Sequence, residues 1–560
     1  MQPYDYVIVG GGTAGCVLAS RLSEDPATRV LLLEAGEDLV PGREPAAIRD
    51  PFPSSYGDPQ YAWPQLRAEV GVRKSGGGPR FSRPYVQGRI MGGSSSIMGM
   101  MAQRGLPADF DEWAAMGADG WDWDGVLPYF NRLETDWDFA GPLHGLQGPI
   151  PIRRIPRANW GPFSKAIADA LERQGHPWVP DLNGAPLDGV SAVPMNNTPE
   201  ARVSAASAYL GTKVRRRANL RVVPGAEVWR LIFEGGRVTG VAAKSASGDR
   251  FLARETLLCA GALHTPAVLL RSGLGPALEL AAAGIRPVRD LPGVGKNLAN
   301  HPTVHLATHL PPHGMQAGGE RTWAQAILRY SSGHAGCAAG DMLLFPANKS
   351  SWHPLGSRIG VLGICVYKSY SRGDVRLDEV TPGASPRVRF NLLDDPRDLE
   401  RMVLGLKFAL ELLADPKVAA VRNELFLPPG GQANSLNRPS PVNWCKSVAI
   451  SALFAAAPLR QRALGRLLID PLATAKDETE LRRIVEAAAA PVHHVCGTAR
   501  IGRADDPEAV IDARCRVRGV GGLRVVDASA MPSVVSANTH LTVLMIAEKA
   551  AEMIKEDAAR

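Results

Sequence analysis

"YDYVIVGGGTAGCVLASRLSEDPATRVLLLEAG", residues 4–36, reads as strand, tight turn, helix, strand. Val7, Ile8 and Val9 form an unbroken apolar run, the pattern of a parallel strand buried on both faces. Gly10, Gly12 and Gly15 then satisfy G-x-G-x-x-G. The first permits the turn, the second lets a pyrophosphate approach the backbone, and the third lets helix pack on strand. A helix opening at Thr13 and Ala14 aims its N-terminal amides at that pyrophosphate. The second strand, "RVLLLEAG" (29–36), ends in Glu34 and Ala35, with Glu34 nineteen residues past Gly15. An acidic side chain there accepts hydrogen bonds from adenosine ribose hydroxyls and repels a 2′-phosphate. The unit predicts a bound dinucleotide, with FAD and NAD both open at this point.

The bulk of the chain narrows the class. A length of 560 residues exceeds one simple core and implies about two or three domains. The formal charge of +7, from 63 basic and 56 acidic residues, is a mild excess over this length and does not point to nucleic acid. The densest basic run, "KVRRRANL" (213–220), reads as a solvated helix end. Seven cysteines with no C-x-x-C pair argue against a disulfide framework and a structural zinc site, and fit reduced thiols in a cytoplasmic protein. The first strand-like run starts at Asp5, which leaves no room for a signal peptide, and no apolar stretch approaches the ~20 residues of a membrane span.

Further motifs follow in order: "GRIMGGSSSIMGMMAQRG" (88–105), "MGADGWDWDGVLPYFNRLE" (116–134), "GPLHGLQGPIPI" (141–152), "GALHTPAVLLRSGLGP" (261–276), "LPGVGKNLANHP" (291–302), "HVCGTARIG" (494–502) and "GLRVVDASAMPSVVSANTHLTVLMIAEKAA" (522–551). Together they resemble the glucose–methanol–choline family of FAD-dependent oxidoreductases from end to end. Within it, "FNLLDDPRDL" (390–399) and "TARIGRADD" (498–506) are similar to the branch that oxidises hydroxymethylfurfural-like and aryl primary alcohols.

The resemblance implies an α/β plus α+β fold. A Rossmann-like FAD-binding domain would be assembled from 1–155, 200–300 and 490–560. A substrate-binding domain, an antiparallel sheet covered by helices, would come from 156–199 and 301–489. Beside the glycine turn, it implies cofactor contacts at Met91, Gly93 and Met98, at Val228, at Asp527 and Ala528, and at His540. Asp527 in "VVDAS" would hold a ribityl hydroxyl, a pyrophosphate-side hydroxyl or a water. After Pro532 the apolar residues of "LTVLMIAEKAAEMI" recur at helical spacing.

Two histidine-rich stretches need separate readings. In "HPTVHLATHLPPH" (301–313) the histidines stand four apart, but Pro302, Pro311 and Pro312 bracket a run rich in Thr, Val and Leu that reads as strand. Four strand residues span ~13 Å, too far for two ligands of one ion, so no metal site is expected. In "PVHHVCGTARIG" (491–502), adjacent residues of an extended segment point to opposite sides. The family's pattern makes His494 the active-site base, and His493 turns away into packing or the channel wall. The second family position is taken as His540 in "SANTHLTV" (536–543), beside the alternative that it merely caps the last helix.

The expected chemistry is oxidation of a primary alcohol to an aldehyde, and of the aldehyde hydrate to an acid. His494 takes the hydroxyl proton as hydride passes to flavin N5, and His540 holds the same oxygen in line. Oxygen is the expected acceptor, yielding hydrogen peroxide, because a protonated histidine beside the flavin stabilises charge developing on oxygen. Met98 stands where the family commonly has an Asn at the flavin edge, and methionine cannot donate a hydrogen bond. Ile97 occupies the place of the flavin-linking His of some relatives, so FAD is expected to be non-covalent. Trp63, Phe345 and Trp444 are candidate pocket walls. Rival readings are a dehydrogenase passing electrons to a quinone or protein, a cyanohydrin lyase, and a non-catalytic flavoprotein.

Overall fold

A computed structural model describes residues 3–72, 81–244, 249–378, 384–428 and 435–560. The opening stretch folds as its pattern dictates: strand Tyr4–Val9, helix Thr13–Leu22, strand Val30–Leu33. These strands lie in a seven-stranded sheet ordered Leu220–Val223, Val30–Leu33, Tyr4–Val9, Arg250–Leu258, Arg237–Lys244, Glu227–Glu234, with Leu523–Val525 also on Arg250–Leu258. Pairing is parallel except at the two hairpin strands of 227–244, which run antiparallel. Val7, Ile8 and the whole of Val30–Leu33 are buried, as continuous apolar parallel strands require. The basic run at 213–220 does end a short helix, Thr212–Arg215, but it is not simply solvated. Arg215 pairs with Asp38 at 2.6 Å, and Arg217 donates to the Ser20 carbonyl.

The last helix, Thr539–Ala559, packs against the first. Arg21 makes a bidentate contact with Glu548, at 2.8 and 2.9 Å, and Tyr209 Oη donates to the same carboxylate at 2.8 Å. This buried carboxylate fastens residues more than five hundred positions apart.

A second sheet is wholly antiparallel. Its order is Leu468–Ile469, Leu425–Phe426, Pro302–His309, Ile359–Val366, Met342–Ala347, Ala326–Tyr330, Gly189–Ala192, with Ala490–Pro491 on Pro302–His309. Helices Pro162–Arg173 and Pro396–Ala414 share its apolar core. The histidine-rich segment is a strand, as the proline bracketing predicts. Residues 374–376 and 387–389 leave this region and join Arg67–Glu69 and Ser82–Pro84 in a four-stranded sheet, which ties the two parts together.

Candidate active site

The glycine turn meets the geometric demands of a dinucleotide cradle. Gly10 has φ +102°, a left-handed conformation, and a Cβ on Gly15 would lie 1.9 Å from the Gly10 carbonyl oxygen, so only glycine lets the helix sit here. A Cβ on Gly12 would meet only the Cys259 oxygen at 3.9 Å and Gly93 Cα at 4.0 Å, leaving open space before the helix. No side chain caps that helix, so its first amides are free to meet an anion.

Met91 and Gly93 lie against this turn. Gly92 N donates to the Gly11 carbonyl at 2.6 Å, and a Cβ on Gly11 would fall 2.6 Å from Met91 Sδ. Glu34 is buried at the end of its strand beside Ala35, and accepts from Gly11 N at 2.8 Å and Gly36 N at 2.7 Å. Burial raises its pKa to about 7, against those hydrogen bonds. Its carbonyl accepts from Ala226 N, which brings Val228 to the same end of the sheet.

Asp527 is placed differently from the expected hydroxyl-binding role. One oxygen accepts from Gly261 N at 2.8 Å and Thr265 Oγ1 at 2.6 Å, and the other from Ser529 N at 2.7 Å and from Ser529 Oγ. Four protein donors already fill the carboxylate, so it organises two helix starts. The neighbouring Ala528 carbonyl accepts from Gly497 N at 3.0 Å and joins this loop to the His494 segment.

Around His494 the geometry fixes a protonation pattern. His301 Nε2 lies 3.0 Å from the Val535 carbonyl, which can only accept, so Nε2 carries the proton. Burial lowers the His301 pKa to about 3, so the ring is neutral and its Nδ1 is bare. His494 Nδ1, 2.9 Å away, must therefore donate to it. That leaves His494 Nε2 as a lone pair, met at 3.0 Å by the Asn538 amide nitrogen, whose oxygen accepts from Tyr367 Oη at 3.2 Å. The Asn300 side chain accepts from His494 N at 2.9 Å and holds the backbone. Burial, with His301 and His493 adding to it, holds the His494 pKa well below the ordinary histidine value. The ring is a neutral base with its free electron pair on a known atom.

His493 does point the other way. Its backbone takes φ +69°, its Nε2 lies 2.5 Å from Tyr56 Oη, and its ring stacks on Tyr85. The companion expected at His540 is corrected by the structure. His540 Nδ1 lies 3.5 Å from Thr13 Oγ1, beside the glycine turn, and Asn538 instead faces His494. Two residues of helix start separate the two positions, enough to change direction. His540 Nε2 is buried with no partner among the described residues, and burial lowers its pKa to about 3. This orphaned nitrogen, the uncapped helix and the open face of Gly12 together suit a bound FAD. His301, Asn300, Asn538 and Tyr367 escaped the sequence reading. Asn538 stood in the quoted motif, and His301 was weighed only as a metal ligand.

Met98 N donates to the Ser94 carbonyl at 2.9 Å, and its own carbonyl accepts from buried Arg202. Ile97 is buried beside it. Phe345 meets Trp323 edge-on at 5.6 Å, and Trp323 Nε1 donates to Gly99 O at 2.9 Å, next to Met98. Tyr367 belongs to the same apolar cluster, which leads from this wall to His301 and Asn538. Trp63 instead stacks on His264, and Trp444 lies half exposed on a surface helix.

Glu134, Asp136 and His144 form the one group of metal-type donors among the described residues. Protein cations already occupy it: Arg104 meets Glu134, and Arg154 meets Asp136 at 2.9 Å. Although burial opposes it, hydrogen bonds to Asp136, Asp181 and Glu134 raise the His144 pKa to about 10. A dication would have to displace matched charges.

Comparison with known proteins agrees with this arrangement. Family models described as GMC oxidoreductase match residues 4–303 and 369–547. The chain is 41% identical to the 5-(hydroxymethyl)furfural oxidase of Methylovorus sp. (strain MP688), covering 99% of both. It is 31% identical to an oxygen-dependent choline dehydrogenase of Vibrio vulnificus, over 99% of this chain and 94% of the relative. The crystal structure of pyridoxine 4-oxidase from Mesorbium loti superposes with a TM-score of 0.79 at 29% identity, over 99% of each chain.

Proposed function

Because the chain belongs to the GMC oxidoreductase family, which uses FAD and acts on CH–OH donors, we propose that it is an oxidase of flat primary alcohols, furanic or aryl, with non-covalently bound FAD and oxygen as acceptor. The observation that carries the reading is the neutral His494 Nε2 facing the Asn538 amide. FAD, when bound, would supply the hydride acceptor and the route of the electron pair to oxygen.

The chain's residues do the rest. The substrate hydroxyl enters between Asn538 and His494, the amide donates to its oxygen, and Nε2 takes its proton. As the imidazole becomes cationic, its Nδ1–H stays on His301, so the ring does not swing. The wall near Phe345 and Trp323 suits a flat ring, and the 41% likeness to a furfural-alcohol oxidase points the same way. An aldehyde re-enters as its hydrate, which offers the same hydroxyl. Gly10, Gly12, Gly15, Glu34 and the Met91–Gly93 segment would hold the dinucleotide. Ile97, standing where some relatives carry a flavin-linking His, offers no atom that could bond covalently to a flavin.

The test is an anaerobic panel of furanic, benzylic and aliphatic alcohols, followed at the flavin absorbance before air is readmitted. Flat primary alcohols are expected to bleach the flavin fastest, and air to restore the colour with one peroxide per alcohol. A bleached flavin that recovers only with a quinone makes the protein a dehydrogenase. A flavin that no alcohol bleaches overturns the reading.

The tautomer argument gives a second expectation. His301→Phe keeps the stack on Tyr367 but removes the acceptor for His494 Nδ1–H, freeing the ring to turn. Anaerobic bleaching should slow by about 10²-fold with KM little changed, the scale of a misplaced catalytic group. An unaltered rate would show that His301 does not position the base.

A further inference from the structure

We propose that helices Pro441–Ala455 and Ala457–Leu464 form a face that docks on an anionic lipid surface. The first of these is inside out for a globular protein. Its buried residues are Ser447 and Ser451, whereas Val442, Trp444, Val448 and Leu453 are 62%, 50%, 39% and 42% exposed. Leu459, at 48%, extends the patch onto the second helix. Solitary exposed apolar residues are ordinary, but a helix that buries serines and presents Trp, Val and Leu has a partner.

Charge names the partner. From residue 435 to 469 there is no Asp or Glu, against Arg438, Lys446, Arg460, Arg462 and Arg466. Arg460 is taken by Glu424. The other four are exposed and make no ion pair among the described residues. A second copy docked by the same face would press cation on cation, whereas an anionic headgroup layer matches the rim while the apolar residues enter the acyl boundary.

Length and shape decide between lying and crossing. Fifteen helical residues extend about 22 Å, short of the ~30 Å hydrocarbon core. The chain then turns through 111°. No single helix among the described residues is long and apolar enough to cross a membrane. The pair therefore lies in the plane of the surface. It is pinned from below, where Phe454, Leu464 and Leu467 pack with Ala307 and Phe426 at the far end of Pro302–His309. Ala307 stands about 20 Å of strand from His301, so docking leaves the His301–His494 pair undisturbed.

The experiment is flotation of the FAD-loaded enzyme with vesicles of phosphatidylcholine alone or with 30 mol% phosphatidylglycerol, at about 50 and 500 mM salt. Binding is expected on the anionic vesicles only, and at least tenfold weaker in high salt. The triple change Trp444→Glu, Val448→Glu and Leu453→Glu should lower the bound fraction at least tenfold while turnover of a dissolved alcohol stays within twofold. Should that protein fail to fold, Lys446→Ser with Arg462→Ser and Arg466→Ser should lower binding severalfold from exposed positions. No flotation, or equal flotation on neutral vesicles, overturns the proposal. A concentration-dependent dimer abolished by the same substitutions would replace the lipid with a second copy.

Discussion

A His494→Ala enzyme is expected to bind FAD normally and to bleach with alcohol 10²–10⁴-fold more slowly, the usual contribution of a positioned general base. No neighbour reaches the place of the lost imidazole: the bare His301 Nδ1 faces the His494 Nδ1 position, on the far side of that ring from Nε2. The His301 Nε2 proton is committed to Val535, His493 points to Tyr56, and the Asn538 amide has no basic nitrogen. Flavin retention follows because the glycine turn, Glu34 and the Met91–Gly93 segment make no use of the His494 ring. In the unaltered enzyme the same rate should be flat with pH from neutrality upward. Since the folded pKa of His494 lies well below 6.5, the lone pair is present throughout that range and is lost only on acidification below it. Stopped-flow bleaching across pH 5–9 checks both statements. A rate that rises through pH 7–8 would mean that the base is another group.

Arg401→Met should be the most damaging substitution away from the site. The guanidinium is fully buried on the helix Pro396–Ala414 and donates to Asp341 at 2.7 Å, to Asp398 at 2.6 Å and to the Lys368 carbonyl at 2.9 Å. Both carboxylates are fully buried too, and they also accept from Ser332 N at 2.7 Å and Ser371 N at 2.7 Å. Methionine fills the space but strands two buried anions, at a cost of about 3–5 kcal/mol. With an unfolding entropy of roughly 2.1 cal/mol/K per residue over the whole chain, the melting temperature should fall by about 3–4 °C. Arg401→Lys restores the charge without the fork and should fall in between. A melting temperature equal to that of the unaltered protein for Arg401→Met would show that these carboxylates are satisfied without the arginine. The effect should reach the site, because Lys368 continues the network to Asp109 at 2.8 Å, and Asp109 accepts from Ser536 N at 2.7 Å, two residues before Asn538.

The cofactor cradle was legible in the sequence because its physics is local. Glycine spacing, a buried apolar strand and an acidic strand end lie within residues 4–36 and leave one reasonable arrangement. His494 came from its place in an ordered motif, and its orientation relative to His493 from the alternation of an extended segment. What could not be read is what depends on distant contacts. The tautomer of His494 is set by residue 301, almost two hundred positions away. The choice between Asn538 and His540 turns on where a helix start points. Asp527 looked available for a ligand hydroxyl because Gly261 and Thr265, which fill it, belong to another segment. Trp444 looked like a pocket wall because composition alone does not show that its helix faces outward.

The clasp between the first and last helices has a consequence for biosynthesis. Thr13 meets His540 and Arg21 meets Glu548, each across 527 positions. At 5–20 residues per second, a ribosome needs about half a minute or more to supply that second half. Until then the nucleotide-binding unit lacks its backing helix, and Asn538 has not been made. A nascent or truncated chain that stops short of residue 538 therefore lacks both the backing helix and the amide that faces His494.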